Sequence, residues 1–195
     1  LPRTVRTVDF GNSRRAATTA MLDALLGTGD QIVVASEKRL TQAGSAAQLA
    51  YGDGAAAVRI GEGGGARLAG FASVTHDLVD RYASQDHPTP YAYEERFVRD
   101  VAVAELIVPA IRDACEEAGI EPGHLTHVAV AEPVGGTWAA AARQLKVAAP
   151  NHCQSVSDAA GDLGTAMPLY GLGLALAAAA YHTKFHCLPR TRSRR

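Results

Sequence analysis

Tyr51-Gly52-Asp53-Gly54-Ala55-Ala56-Ala57-Val58-Arg59-Ile60-Gly61 is the stretch on which the fold turns. Two glycines around an aspartate allow a tight backbone, and the small and β-branched residues that follow suit a strand. Taken alone, Gly52-Asp53-Gly54 reads as a turn entering that strand; the sharper reading is an acidic tip beside a ligand. Glu62-Gly63-Gly64-Gly65 then gives a strong turn signal before the β-compatible Ala66 to Val74, so an antiparallel hairpin is expected here.

Upstream, Gln31-Ile32-Val33-Val34-Ala35-Ser36 has consecutive apolar residues and predicts a short strand buried on both faces. Before it, Asn12 or Ser13 can cap a helix from about Arg14 to Leu26, ended by Gly27 and Gly29. Its apolar face is mostly alanine, which lets another element approach closely. Thr4 to Val8 reads as an earlier strand, and Glu37 to Gln48 as a polar connection.

Downstream, Thr75 to Arg96 is polar and aromatic, with Tyr82, Pro88, Pro90, Tyr91 and Tyr93; a loop of this length inside a compact protein is more often functional than idle. From Val98 to Ala118, the positions Val101, Ala104, Val108, Ile111, Cys115 and Ala118 step by three and four and predict an amphipathic helix, kinked or split at Pro109. Glu94, Glu95, Arg96, Arg99 and Asp100 open it, either as charges matched to the helix dipole or as a cluster facing a ligand or subunit. After the turn Glu121-Pro122-Gly123 come a buried strand at His127 to Ala131, a helix from about Gly136 to Leu145, a short strand near Gln154-Ser155-Val156, and a long helix from about Leu163 to Tyr181. The alternation predicts an α/β fold whose sheet is covered on both faces.

The 195 residues are 47% hydrophobic and 20% charged, enough apolar material for a buried core, which excludes disorder as the ground state. Nineteen Lys and Arg against twenty Asp and Glu give a net charge of −1, so no global field recruits nucleic acid or an acidic membrane. Cys115, Cys153 and Cys187 show neither CxxC spacing nor an even count, so the expectation is a reducing, cytoplasmic setting without a disulfide framework. The chain opens at Leu1 rather than Met and shows no signal-peptide pattern, so further sequence is expected upstream. The longest apolar stretch, Ala166 to Tyr181, holds Pro168, Gly171 and Gly173 and reads as a buried helix, not a membrane span. Leu188 to Arg195 carries four arginines without periodicity and reads as a solvated basic tail.

Gly161-Asp162-Leu163-Gly164-Thr165 precedes the long helix, so its backbone N–H groups can face a phosphate or an oxyanion; equally, Asp162 can be only the helix N-cap. The seven histidines show no HExxH spacing, and the pairs His152-Cys153 and His186-Cys187 diverge if extended, so no metal site is expected. Cys115 lies on an apolar stripe and reads as a core residue. Cys153 is the better nucleophile candidate by exclusion, but without an identifiable base its plainer reading is a buried strand thiol.

Four segments together resemble the thiolase superfamily, in particular hydroxymethylglutaryl-CoA synthase-like and ketoacyl-acyl-carrier-protein synthase III-like proteins: Ile32 to Ser36, Tyr51 to Val58, Tyr93 to Asp100, and Gly161 to Ala166. The resemblance implies a layered α/β/α/β/α architecture of two similar halves, each with a buried central helix. On that template the chain is incomplete: residues 1–96 are the later part of the first half with the hairpin and aromatic loop, 97–187 most of the second half, and 188–195 the basic tail. Such proteins carry a nucleophilic cysteine at the start of the first central helix, a histidine after the first strand of the second half, and often an asparagine before the second central helix. Those positions fall near Arg14, at Ala131 or Glu132, and at Asp162. Arginine stays protonated and cannot carry an acyl group, which leaves Asp162 and Glu132 as candidate catalytic residues. Gly161, Gly164 and Thr165 are the candidate backbone cradle for a thioester. The function implied is an acyl-CoA-handling acyltransferase of Claisen type, or a catalytically altered relative lacking Cys-His-Asn. The alternative is a non-catalytic binding or scaffold subunit. The expected partners are an acyl-CoA or acyl-carrier-protein thioester as substrate and no separate cofactor, a second copy in a homodimer, or a zinc-ribbon/OB-fold protein in a hetero-oligomer, with no nucleic acid and no membrane.

Overall fold

The structure, a computed structural model, describes residues 4–183 apart from Asn12, Gly64, Ala83, His87, Pro88 and Tyr93. The basic tail at 188–195 and Cys187 lie outside the described residues. Helix α1 (Ala16–Leu26) turns Ala16, Ala17 and Ala24 inward, and Ser13 Oγ accepts the Arg15 N–H at its start. Strand β1 (Gln31–Glu37) follows, then the short helix α2 (Ala46–Ala50) and strand β2 (Gly54–Ile60). Two-residue strands β3 (Arg81–Tyr82) and β4 (Tyr91–Ala92) pair antiparallel in the aromatic loop. A continuous helical run comprises α3 (Glu95–Val101), a π-wound stretch (Ala102–Ile107) and α4 (Val108–Ala118). Helices α5 (Thr137–Leu145), α6 (His152–Ala160) and α7 (Met167–Thr183) complete the described residues, α7 being preceded by a 3₁₀ turn at Gly164–Ala166.

Several local expectations are corrected. β2 pairs antiparallel with β1, Val33 opposite Val58 and Ala35 opposite Ala56, and not with 66–74. That pairing joins the inward residues of both strands to one core. Residues 66–74 instead dock on α4, where a Cβ on Gly70 would meet the Ala114 carbonyl oxygen and the Ala118 nitrogen at 2.7 Å, and where the Phe71 N–H donates to Glu117 Oε2 at 2.6 Å. β1 is buried on one face only: Val33 and Ala35 point inward while Ile32 and Val34 are 67% and 68% exposed. Residues 4–8 form no strand, because among the described residues no neighbour offers them a ladder, and Val5 and Val8 are exposed. His127 to Ala131 contributes one parallel bridge, Val128 to Asn151, rather than a full strand. The strand expected at Gln154 to Val156 is helix α6: Asn151 accepts the Cys153 N–H and caps it, a start signal stronger than the propensity of a single valine.

The helix through Pro109 is not kinked open but rewound. In the π stretch the Val108 N–H donates five residues back, to the Val103 carbonyl, so Val103 and Val108 share one buried face. Regular α winding would turn them apart, and it is why Ala104, expected on the apolar stripe, is exposed.

Two cores result. One packs α1, β1, α6 and the start of α7 through Ala17, Ala24, Val33, Ala35, Val156, Leu163, Ala166 and Met167. The other gathers Val103, Val108, Val128, Trp138, Ala141, Leu145 and Val147. Among the described residues no helix is long and apolar enough to cross a membrane.

Candidate functional site

The quoted motif and the start of the long helix meet at one backbone junction. The Asp162 N–H donates to the Ala50 carbonyl at 2.8 Å and the Gly52 N–H to the Asp162 carbonyl at 3.1 Å, a parallel bridge between Tyr51 and Asp162. Both flanking glycines are required. A Cβ on Gly52 would sit 1.9 Å from the Ala160 oxygen, and Gly161 holds φ +81° with the Ala50 oxygen 2.9 Å from where its Cβ would stand. Asp53 Oδ1 accepts the Arg39 N–H at 3.1 Å, so it anchors the turn.

This junction sets the Asp162 carboxylate among three guanidinium groups from distant segments. Arg14 Nη2 lies 3.2 Å and Arg39 Nη1 2.5 Å from Oδ2, with Arg81 Nη1 at 3.8 Å; Oδ1 accepts the Gly164 N–H at 2.9 Å. Arg14 also reaches Asp80 at 2.9 Å. The Arg39 guanidinium carbon sits over the Tyr51 ring, 3.4 Å from its centroid, and Nε pairs with Glu37 at 3.4 Å. Arg81 donates to the Tyr51 hydroxyl and, through Nη2, to the Pro133 carbonyl at 2.9 Å. Burial pushes the Asp162 carboxyl up, but Arg39, the Gly164 N–H and Arg14 outweigh it and hold it below its ordinary value. Burial, and then Arg14, pushes the Arg81 guanidinium below its own.

Beside this cluster opens a cavity of about 300 Å³, walled by Tyr51, Arg81, Glu95, Glu132, Cys153 and Asp162 among others. Glu132 comes from the loop before α5, and its Oε2 accepts the Trp138 N–H at 3.0 Å, at the positive end of that helix. Cys153 is 3% exposed, with its thiol 3.5 Å from the Met167 carbonyl. Burial, then Glu132 and Asp162, pushes that thiol up to about 12, which removes thiolate character at neutral pH. It is a helix thiol, not the strand thiol expected.

Asp162 and Glu132 thus share one cavity, and Arg14 sits directly on Asp162. Gly161, Gly164 and Thr165 are not among the cavity-lining residues. Their available donors face inward: Gly164 to Asp162, and the Thr165 N–H to Glu37 Oε2 at 2.6 Å. Of the charged residues opening α3, only Glu95 reaches the wall; Arg96 and Asp100 form an exposed pair at 4.0 Å. Sequence reasoning did not single out Arg39, Arg81 or the pair His127 and His152, whose ring nitrogens stand 3.0 Å apart beside the second parallel bridge. The one signal pointing to them was proximity to segments already quoted: Arg39 just after β1, Arg81 inside the aromatic loop, and the histidines on facing segments. Cys115 and Cys153 are both free and buried. Among the described residues no three or more His, Cys, Asp or Glu side chains form a metal-binding group.

No protein-family model matches the sequence, and no curated protein matches it. Solved structures do. MvaS in complex with 3-hydroxy-3-methylglutaryl coenzyme A is similar with a TM-score of 0.68 at 19% identity, over 90% of this chain and 53% of that one. FabH, the 3-oxoacyl-(acyl carrier protein) synthase III of Pseudomonas aeruginosa PAO1, is similar with a TM-score of 0.61 at 19% identity, over 86% of this chain and 54% of that one. The chain therefore spans about half the length of the structures it matches, and what it shares with them is the thiolase-like α/β fold.

Proposed function

We propose that the chain is an acyl-CoA-binding relative of the thiolase-fold condensing enzymes that holds a thioester without forming an acyl-enzyme. One observation carries this reading: at the position where the resemblance expects the nucleophile stands Arg14, its terminal nitrogens engaged by Asp80 and Asp162. The nearest thiol to the cavity, Cys153, is buried and held neutral at physiological pH. The wall, with Glu132 and Asp162 at the other two positions the resemblance marks, is placed to receive the acyl end. In this reading residues 1–96 belong to the first thiolase-like half and 97–187 to the second.

The experiment is incubation with acetyl-CoA, followed in parallel by calorimetry and intact mass spectrometry. Saturable binding with no mass gain is expected. An acetyl adduct on any cysteine would overturn the non-covalent reading, and absence of binding would overturn the acyl-CoA reading.

A second reading, that the chain serves as a subunit in a larger assembly, is favoured by the outward face of β1, where Ile32 and Val34 stand exposed beside Ala55 and Ala57 of β2. Val34 pairs with Ala57 and Ile32 with the exposed Arg59, and apolar side chains on an open two-stranded ladder, even beside one charge, invite a covering partner. A monodisperse species of 20.4 kDa in light scattering across micromolar concentrations would count against it.

A further inference from the structure

The charge lining the cavity is unevenly placed, and that unevenness bears on which acyl group it takes. Three carboxylate residues line the wall, Glu95, Glu132 and Asp162, against the single guanidinium of Arg81. Arg14 and Arg39 are not among the lining residues, and both are turned onto Asp162 Oδ2. Arg81 has both terminal nitrogens donating to oxygen atoms of the chain itself, the Tyr51 hydroxyl and the Pro133 carbonyl. The Asp162 charge is therefore compensated from behind, while among the described residues no cationic side chain pairs with Glu132, whose hydrogen-bond partner is the Trp138 N–H.

We infer that the cavity selects thioesters whose acyl group ends without charge and rejects those ending in a carboxylate, with Glu132 as the residue that sets the preference. The inference rests on the acyl-CoA reading above and deepens it. A ligand carboxylate entering the cavity loses water and meets like charge in a region of reduced dielectric, where such a juxtaposition is far costlier than in bulk water. Cys153 lines the same cavity, and after burial the groups that push its thiol up are these same carboxylates, Glu132 and Asp162. An uncharged chain of about four carbons is small against the roughly 300 Å³ available.

Butyryl-CoA and succinyl-CoA test this, because their acyl groups have the same chain length and differ at the far end. By calorimetry on the whole chain at neutral pH, butyryl-CoA is expected to bind tighter by roughly tenfold or more. In Glu132→Gln, which keeps an oxygen acceptor for the Trp138 N–H, the ratio is expected to fall toward one, with circular dichroism confirming the fold. Equal affinities, or tighter binding of succinyl-CoA, would overturn the selectivity while leaving the acyl-CoA reading standing. A preference unchanged in Glu132→Gln would overturn the role given to that residue. Failure of both ligands to bind would overturn the acyl-CoA reading itself, and this inference with it.

Discussion

The two parallel bridges solve the same problem with opposite chemistry. Each joins a passing segment to the entry of a helix, Val128 to Asn151 before α6 and Tyr51 to Asp162 before α7, and each places a buried or half-buried polar side chain there. Asn151 is neutral and satisfies itself locally: its oxygen accepts the Val130 and Cys153 N–H groups and its amide donates to the Val130 carbonyl. Asp162 is charged, and its neighbours must supply cations, so it draws in Arg14, Arg39 and Arg81 from three separate segments. An amide locks one junction; a carboxylate ties together four parts of the chain and makes the tie depend on pH.

The largest effect should come from breaking the charged junction. Asp162→Ala leaves three guanidinium groups facing each other without a counter-charge and should cost about 3 kcal/mol, read as a shift in urea midpoint. Asp162→Asn keeps the acceptor for the Gly164 N–H and should cost less, while leaving acyl-CoA binding unchanged or stronger; a clear loss of binding with the fold intact would show a direct role for the carboxylate. Because the folded-state pKa of Asp162 is lowered, its contribution is present above the unfolded carboxyl value of about 4 and is lost as pH falls through the folded value. The stability gap between the wild type and Asp162→Asn should therefore close in acid and stay constant from pH 5 to 7.

The neutral junction comes next. Asn151→Ala strands two N–H groups and a carbonyl, and should cost about 2 kcal/mol with little pH dependence. Asn151→Asp sharpens the contrast by burying a carboxylate that, among the described residues, has no arginine beside it, so its loss of stability should shrink, not grow, in acid.

Cys153 probes the ground between the two junctions. Its folded pKa is raised to about 12, so its contribution is complete below the unfolded thiol value of about 8.5 and is lost as pH rises toward 12. Alkylation at pH 7 should leave it unlabelled until the protein unfolds. Rapid labelling blocked by an acyl-CoA would move the reactive centre there.

The smallest effect lies away from both. Lys146 ends α5 at φ +56°, and Lys146→Gly should stabilise the chain by about 0.5–1 kcal/mol, read as a small rise in Tm.

What was legible follows from how local each signal is. The long helix, although its α-winding begins at Met167 rather than the expected Leu163, and the glycine-flanked turn before β2 were readable because periodicity and backbone freedom are written in adjacent residues. The partner of β2 was not: a triple glycine announces a turn, but pairing depends on which distant strand completes an apolar face. The carboxylate at 162 was visible, whereas its cations lie 148 and 123 residues away at Arg14 and Arg39, a separation no spacing rule covers. At α6 the β-propensity of Val156 suggested a strand, but that preference is weak and context-dependent, and the helix is started by Asn151, which was not singled out.

The π-wound turn between α3 and α4 carries a consequence for indels. It holds one residue more per turn than its flanks, so Val103 and Val108 face one core although five positions separate them. Deleting Ala104, which is exposed, would let the turn close as ordinary α-helix and bring the two valines to a four-residue spacing on the same side. A shortening that would scramble the buried face of a regular helix is here absorbed in register, so this is the one place in the run from Glu95 to Ala118 where the chain can lose a residue and keep its packing.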